Sequence, residues 1–183
     1  MDSTEIPFLP ATKLSALIRS GDVSPVEAAE AYLDRIGQID GKLNSYITVC
    51  RDEALAEAQQ AEKEIAAGNY RGPMHGLPVA VKDQFYTKGI RTTGGSAILK
   101  DLVPNEDATV VANLKAAGSV LLGKLNMSEY AMGDAFFHPF GTPHNPWDLS
   151  RNPGTSSSGS GAATAAFLRS EERRVGKECR SRW

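Results

Sequence analysis

Apolar residues recur at Val26, Ala29, Leu33 and Ile36, spaced by three, four and three, which puts them on one face of a helix. Just ahead, Ser24-Pro25-Val26-Glu27 combines an N-cap serine, proline at the first helical position and glutamate at the third, the pattern of a capping box. A helix over 25–36 is therefore predicted, with Gly37 past its end and the apolar face buried. Similar grammar predicts a shorter helix over 12–19 before Gly21, and a longer one over 51–67 before Gly68. Between them Tyr46-Ile47-Thr48-Val49 has the β-branched and aromatic content of a short strand. After Gly76 the texture changes. Residues 77–81 (LPVAV) and 119–122 (SVLL) are continuous apolar runs, separated by a helix that starts at Asp107 as cap and reaches Ala117 before Gly118. Apolar strands alternating with helices predict the α/β class, with a parallel sheet covered on both faces.

Composition narrows the setting. At 183 residues and 19.6 kDa the chain is one domain or part of a larger one. Seventeen glycines and ten prolines, with 41% hydrophobic residues, fit an ordinary globular core. A formal charge of -2 and a pI near 5.9 give no general attraction to nucleic acid or an anionic membrane. No apolar run approaches the roughly 18 residues of a spanning helix, and Met1-Asp2-Ser3-Thr4-Glu5 has the wrong charge for a secretory leader, so the expected compartment is the cytosol. Cys50 and Cys179 are too few and too far apart for a disulfide framework or zinc site, and read as lone thiols.

Charge is unevenly spread. Residues 169–183 carry six basic and three acidic residues, leaving fourteen basic and nineteen acidic in 1–168. The shift follows an apolar run (AATAAFL) abruptly, as at a splice between unrelated sequences. The stretch RSEERRVGKECRSRW also resembles the translation of a DNA-sequencing adapter, and 169–183 is expected to be an artefactual tail. The competing reading is a basic arm for nucleic acid.

Two stretches can carry chemistry. GLPVAVKDQF places Lys82 at the C-terminal end of a buried strand, the edge where α/β sheets bind ligands, although a lysine there reads first as a surface residue. NPGTSSSGSGAATAA, residues 152–166, has small residues that let backbone approach a ligand ahead of an alanine-rich helix; by composition it equally reads as a flexible linker. The glycine-rich run lacks a P-loop ending and no dinucleotide fingerprint is present. His75, His138 and His144 lack the spacing and company of a metal site, so no metal is expected. Asn126-Met127-Ser128 matches a glycosylation acceptor by chance.

Taken in order, GLPVAVKD, then EDATVVANLKAAGSVLLGKLNMSEYAMG, then NPWD and the serine-rich loop resemble the amidase signature family, which includes amidotransferase subunits. The resemblance covers most of 11–168. It implies an α/β/α fold with a mixed sheet and an N-terminal helical region, of which 1–168 is the N-terminal portion of a single amidase domain. It also implies a hydrolase or transamidase that attacks carboxamides through a Ser-Ser-Lys triad without metal or organic cofactor. By position, Lys82 matches the family lysine and Ser156 the bridging serine, which the family holds by a cis peptide bond. The nucleophilic serine lies about 24 residues further on, where this chain has Arg180 in the tail. A chain cut before that serine is expected to be inactive. Met127 and Glu129 match a segment lining the substrate pocket; alternatively they open a helix capped by Ser128. Thr155 and Ser158 stand where the family loop GGSSGGS has glycines, which reduces backbone freedom around the serine pair.

The chemistry asks for these residue types. A serine hydroxyl needs a base, and lysine serves only when neutral, so its pKa of about 10.4 must fall by roughly 3 units. Burial beside Val79 and Val81 is expected to supply the shift. The resemblance implies a small-molecule or aminoacyl carboxamide as substrate, no membrane partner, and nucleic acid only within an amidotransferase complex. The alternatives are a noncatalytic binding module or partner subunit, and a fragment with no stable fold.

Overall fold

The computed structural model describes residues 2–132, 138–154 and 156–170. After a short 3-10 turn (Ser3–Phe8), α1 (Ala11–Ser20) and α2 (Pro25–Leu43) lead into β1 (Tyr46–Val49) and α3 (Arg51–Ala66). Then β2 (Pro78–Lys82), α4 (Thr109–Ala116), β3 (Val120–Leu125) and α5 (Ser158–Ala165) complete the described elements. The strands form one sheet in the order β1-β3-β2. Strands β2 and β3 are parallel, as their connection through α4 requires, while β1 runs antiparallel to β3. The sheet is therefore mixed.

The capping box at Ser24 forms as expected, with Ser24 Oγ accepting from Glu27 N–H and the Glu27 carboxylate accepting from Ser24 N–H. Helix α2 does not stop at Gly37, however. It continues through Gly37 and Gly41 to Asn44, whose φ of 49° ends it. Each mid-helix glycine costs roughly 1 kcal/mol, but stopping at Gly37 would forfeit burial of Leu43 and the packing of Ile39, worth roughly 1.5–3 kcal/mol for a fully buried leucine. Asp107 does not cap α4 either. Ala108 takes the cap position, and the Asp107 carboxylate instead binds Lys88 N–H and Lys115 Nζ.

Two apolar clusters lie on the two sides of the sheet. Helices α1, α2 and α5 bring Leu14, Ile18, Leu33, Ile36 and Ala163 against Ala80, Leu122 and Leu125. On the other side Val81 and Leu121 pack with Cys50, Ile90 and Val111 of α4. Strand β3 is buried along its whole length, which is why its six residues read as a continuous apolar run interrupted only by Gly123 and Lys124. Gly123 is obligatory: with φ of 157°, a Cβ there would run into the Thr48 carbonyl of β1.

Arg169 and Ser170, counted with the tail on charge, are held against the body. Arg169 donates to Thr164 Oγ1, and Ser170 N–H and Oγ both donate to the Pro78 carbonyl at the start of β2. Ser170 is buried. Residues 171–183 lie outside the described residues. No helix among the described residues is long and apolar enough to cross a membrane.

Candidate active site

Lys82 closes β2 and pairs in register with Leu125, the last residue of β3. Side chains alternate along a strand, so Ala80 and Lys82 share the face of β2 that carries α2 and α5. Val79 and Val81 point to the other side, into the cluster with Val111 and Leu121. The expected apolar surroundings of Lys82 are thus not its neighbouring valines, because the period-two pleat sends them away. Lys82 is half-buried, and among the described residues no carboxylate reaches its ammonium. Burial alone draws its pKa below the ordinary lysine value, in the direction that favours the neutral amine.

The serine loop reaches the same sheet edge. Gly159 N–H donates to the carbonyl of Asn126, the residue after β3, at 3.0 Å. A Cβ on Gly159 would stand 2.5 Å from Asn126 N, Asn126 O and Ser45 O, so only glycine lets the first turn of α5 press on this backbone. Leu125 therefore holds Lys82 while the adjacent Asn126 holds the loop that carries Ser156. Ser156 is half-buried, Ser157 is exposed and Ser158 fully buried. No hydrogen bond joins Lys82 to Ser156 among the described residues. The cis bond expected before Ser156 involves Thr155, outside the described residues.

Ser158 replaces a family glycine without leaving its hydroxyl stranded, because Oγ meets Nε2 of buried His138 at 3.1 Å. That partner explains how the loop accommodates a side chain there, and gives His138 a structural role. Met127 is fully buried, and its N–H donates to Asn126 Oδ1 at 2.8 Å. Glu129 is half-buried and accepts from Ser96 Oγ at 2.6 Å. No α-helix follows directly on Ser128 among the described residues; Ser128 stands at the N-cap of a 3-10 helix, without a side-chain capping bond. That helix is the three-residue turn Glu129–Ala131, and the buried Ser128 hydroxyl has no hydrogen-bond partner among the described residues.

Three features of this edge escaped the sequence reading. Asp83, next to Lys82, is fully buried and accepts from Thr93 N–H at 2.8 Å and Thr93 Oγ1 at 2.5 Å. Its other oxygen lies 3.3 Å from Nζ of the equally buried Lys124, which also donates to Phe85 O and Thr92 Oγ1. The pair fixes loop 92–96 beside the end of β2. That loop abuts the 127–129 segment closely, since a Cβ on Gly95 would stand 2.7 Å from Met127 O. The third feature is Asn126, whose Nδ2 donates to Asn44 O and Gly141 O, tying together three chain segments. Nearby signals were present: an acid directly after Lys82, a lysine inside an apolar run, and Gly-Gly in TTGGS. Their meaning depended on pairing. His75 and His144 lie elsewhere, and no metal-binding group of three His, Cys, Asp or Glu side chains occurs among the described residues.

A half-buried lysine without a counter-ion among the described residues and a serine loop folded over the adjoining strand end make this edge a candidate site for nucleophilic chemistry. A family model described as Amidase matches residues 27–170, and the chain belongs to that family. Among relatives, it is 47% identical over 165 residues to a glutamyl-tRNA(Gln) amidotransferase subunit from Salinispora tropica, covering 90% of this chain and 34% of that protein. It is 54% identical over 146 residues to the same subunit from Geobacter sulfurreducens, covering 79% and 30%. Among solved structures, peptide amidase of Stenotrophomonas maltophilia superposes with a TM-score of 0.82 at 35% identity, covering 87% of this chain and 34% of that one. A bacterial aryl acylamidase belonging to the amidase signature enzymes gives 0.80 at 32%, covering 88% and 34%. The chain thus spans about a third of the length of these relatives.

Proposed function

We propose that this sequence is the N-terminal part of a protein that hydrolyses or transfers carboxamides through an acyl-enzyme, with Lys82 as base and Ser156 as proton relay. The observation that carries this reading is the shared anchoring of Lys82 and the serine loop on Leu125 and Asn126, with no counter-ion at Lys82 among the described residues. Neutral Lys82 takes a proton from Ser156, and Ser156 takes one from the nucleophilic serine as that serine adds to the amide carbonyl. Met127 and Glu129, on the segment leaving β3, border the substrate. Relatives named as amidotransferase subunits support transfer, and those named as amidases support hydrolysis. Transfer within such a complex is how nucleic acid enters as a partner.

The family spacing, about 24 residues beyond Ser156, puts the nucleophile near Arg180, within the stretch read as a foreign tail. On this reading the sequence carries the base and the relay serine, Lys82 and Ser156, without the family's nucleophilic serine. Incubation with simple carboxamides and a fluorophosphonate serine probe tests this. The expected result is no ammonia above background and no covalent label. Stoichiometric labelling of Ser156 or Ser157 would mean that another serine serves as nucleophile and would overturn this assignment of roles.

A further inference from the structure

An open cleft of about 350 Å³ lies between α2, the end of α5, Phe8 of the N-terminal turn and residues 146–149. Its walls are apolar and largely aromatic: Phe8, Trp147, Leu149 and Phe167 line it, each more than two-fifths exposed. Trp147 is 85% exposed, and large apolar groups left open together mark a surface that binds something. Phe167 adds an independent sign. It follows the end of α5 with φ of 57°, a left-handed position that glycine ordinarily fills at a helix end. The chain instead holds an aromatic residue there, its ring centroid 5.0 Å from that of Phe8. No lining residue belongs to β2, to the serine loop or to the 127–129 segment, so the cleft is separate from the candidate active site.

The charge of the cleft is one-sided. Residues 1–168 hold fourteen basic and nineteen acidic residues, yet Arg35 and Lys42 line the cleft and no carboxylate does. Arg35 is pinned in place. Its Nε donates to Ala166 O at 3.0 Å, and its guanidinium carbon stands 4.5 Å from the centroid of the Phe8 ring. Ala166 and Phe8 both belong to the cleft wall, so the guanidinium itself lies at the cleft. Its two Nη atoms have no hydrogen-bond partner among the described residues. Burial lowers the Arg35 pKa, with no opposing pull from a carboxylate. Lys42, two turns further along α2, likewise has no ion-pair partner among the described residues.

We propose that this cleft binds a small monocarboxylate with an aryl-alkyl body. The carboxylate accepts from the two free Nη atoms of Arg35 side by side, the planar pairing that a guanidinium fork suits, and Lys42 adds positive charge at the rim. The aromatic body lies among Trp147, Leu149 and Phe167. The cleft is at the small end of the roughly 300–1,000 Å³ range of ligand pockets, which fits one ring on a short chain. So open a site binds in roughly the millimolar range. A neutral carboxamide of the same shape keeps the apolar contacts and loses the charge-assisted pair.

Trp147 reports on the cleft directly once the other tryptophan is removed, so the test uses the full chain carrying Trp183→Phe. Its fluorescence is followed during titration with 3-phenylpropionate, 3-phenylpropanamide and acetate at constant ionic strength. A saturable change is expected with phenylpropionate alone over the same concentration range. Arg35→Met keeps an apolar stem against Phe8 and removes the fork, and should weaken phenylpropionate binding about tenfold. Should that variant fail to fold, the comparison of acid with amide in the unchanged cleft decides. Absence of saturation, equal affinity for acid and amide, or unchanged affinity in folded Arg35→Met would overturn the assignment. So would a Trp147 emission that varies with protein concentration and not with ligand, because a second copy of the chain would then occupy the cleft.

Discussion

Gly159→Ala is the substitution to which the geometry of the candidate site is most sensitive. The added methyl group would lie 2.5 Å from three backbone atoms, Asn126 N, Asn126 O and Ser45 O, none of which can rotate away as a side-chain tip would. Relief requires the first turn of α5 to lift off the end of β3, lengthening the 3.0 Å bond from Gly159 N–H to Asn126 O. Overpacking of this kind costs about 1–3 kcal/mol, and losing one hydrogen bond adds about 1 kcal/mol. The expected destabilisation is therefore about 2–4 kcal/mol. With a urea m-value of about 1–3 kcal/mol/M, the midpoint should fall by about 1 M or more. Gly161→Ala is the control, two residues on in the same helix. Its Cβ would meet only Pro153 O at 3.5 Å, an ordinary contact, so replacing a helical glycine there should be neutral or stabilising by up to about 1 kcal/mol. Urea denaturation followed by circular dichroism compares the three proteins. If both variants fall within about 0.5 kcal/mol of the parent, the usual range of an uninvolved surface change, the serine loop does not press on β3 and the site geometry is wrong.

Other expectations follow from neighbouring groups. Lys124→Met leaves the buried Asp83 carboxylate without its cation and should cost about 3–5 kcal/mol by denaturation; the loss should shrink in an Asp83→Asn background, where the amide oxygen can still accept from Thr93. Lys82 has a folded-state pKa depressed by burial, so between that value and the ordinary 10.5 the unfolded chain binds more protons and this lysine's penalty fades as pH rises. Lys82→Met should therefore raise the midpoint at neutral pH, with the gain disappearing toward pH 10.5 and above; a gain that grows with pH would contradict the assigned cause. Removal of residues 171–183 should leave the midpoint unchanged, since the splice reading makes them foreign to the domain, and a drop in midpoint would count against that reading.

What could be read from the sequence followed local rules. Capping at Ser24, the 3.6-residue period of α2 and the apolar content of β2 and β3 depend on residues a few positions apart, and each gave an element near its observed place. Errors arose where a distant partner decides. Gly37 looked like a helix end because its compensation, burial of Leu43, is tertiary. Asp107 looked like a cap because its actual partners, Lys88 N–H and Lys115, lie on other turns of the chain. Lys82 and the serine loop were each ambiguous alone, and their order along the chain carried the resemblance. The contacts around them were hidden: a buried Asp83–Lys124 pair, the Asn126 junction and the His138–Ser158 bond all join residues far apart along the chain.

The direct test of the central claim uses a chimera in which residues 171–183 are replaced by the corresponding C-terminal region of the Geobacter sulfurreducens relative, restoring a serine at position 180. Intact mass and peptide mapping after fluorophosphonate treatment would locate the label, with and without Lys82→Ala. One label on the restored serine is predicted, formed at least about 100-fold more slowly when Lys82 is alanine, as removal of a general base requires. Equal labelling rates in the two proteins, with both folded, would contradict the role given to Lys82.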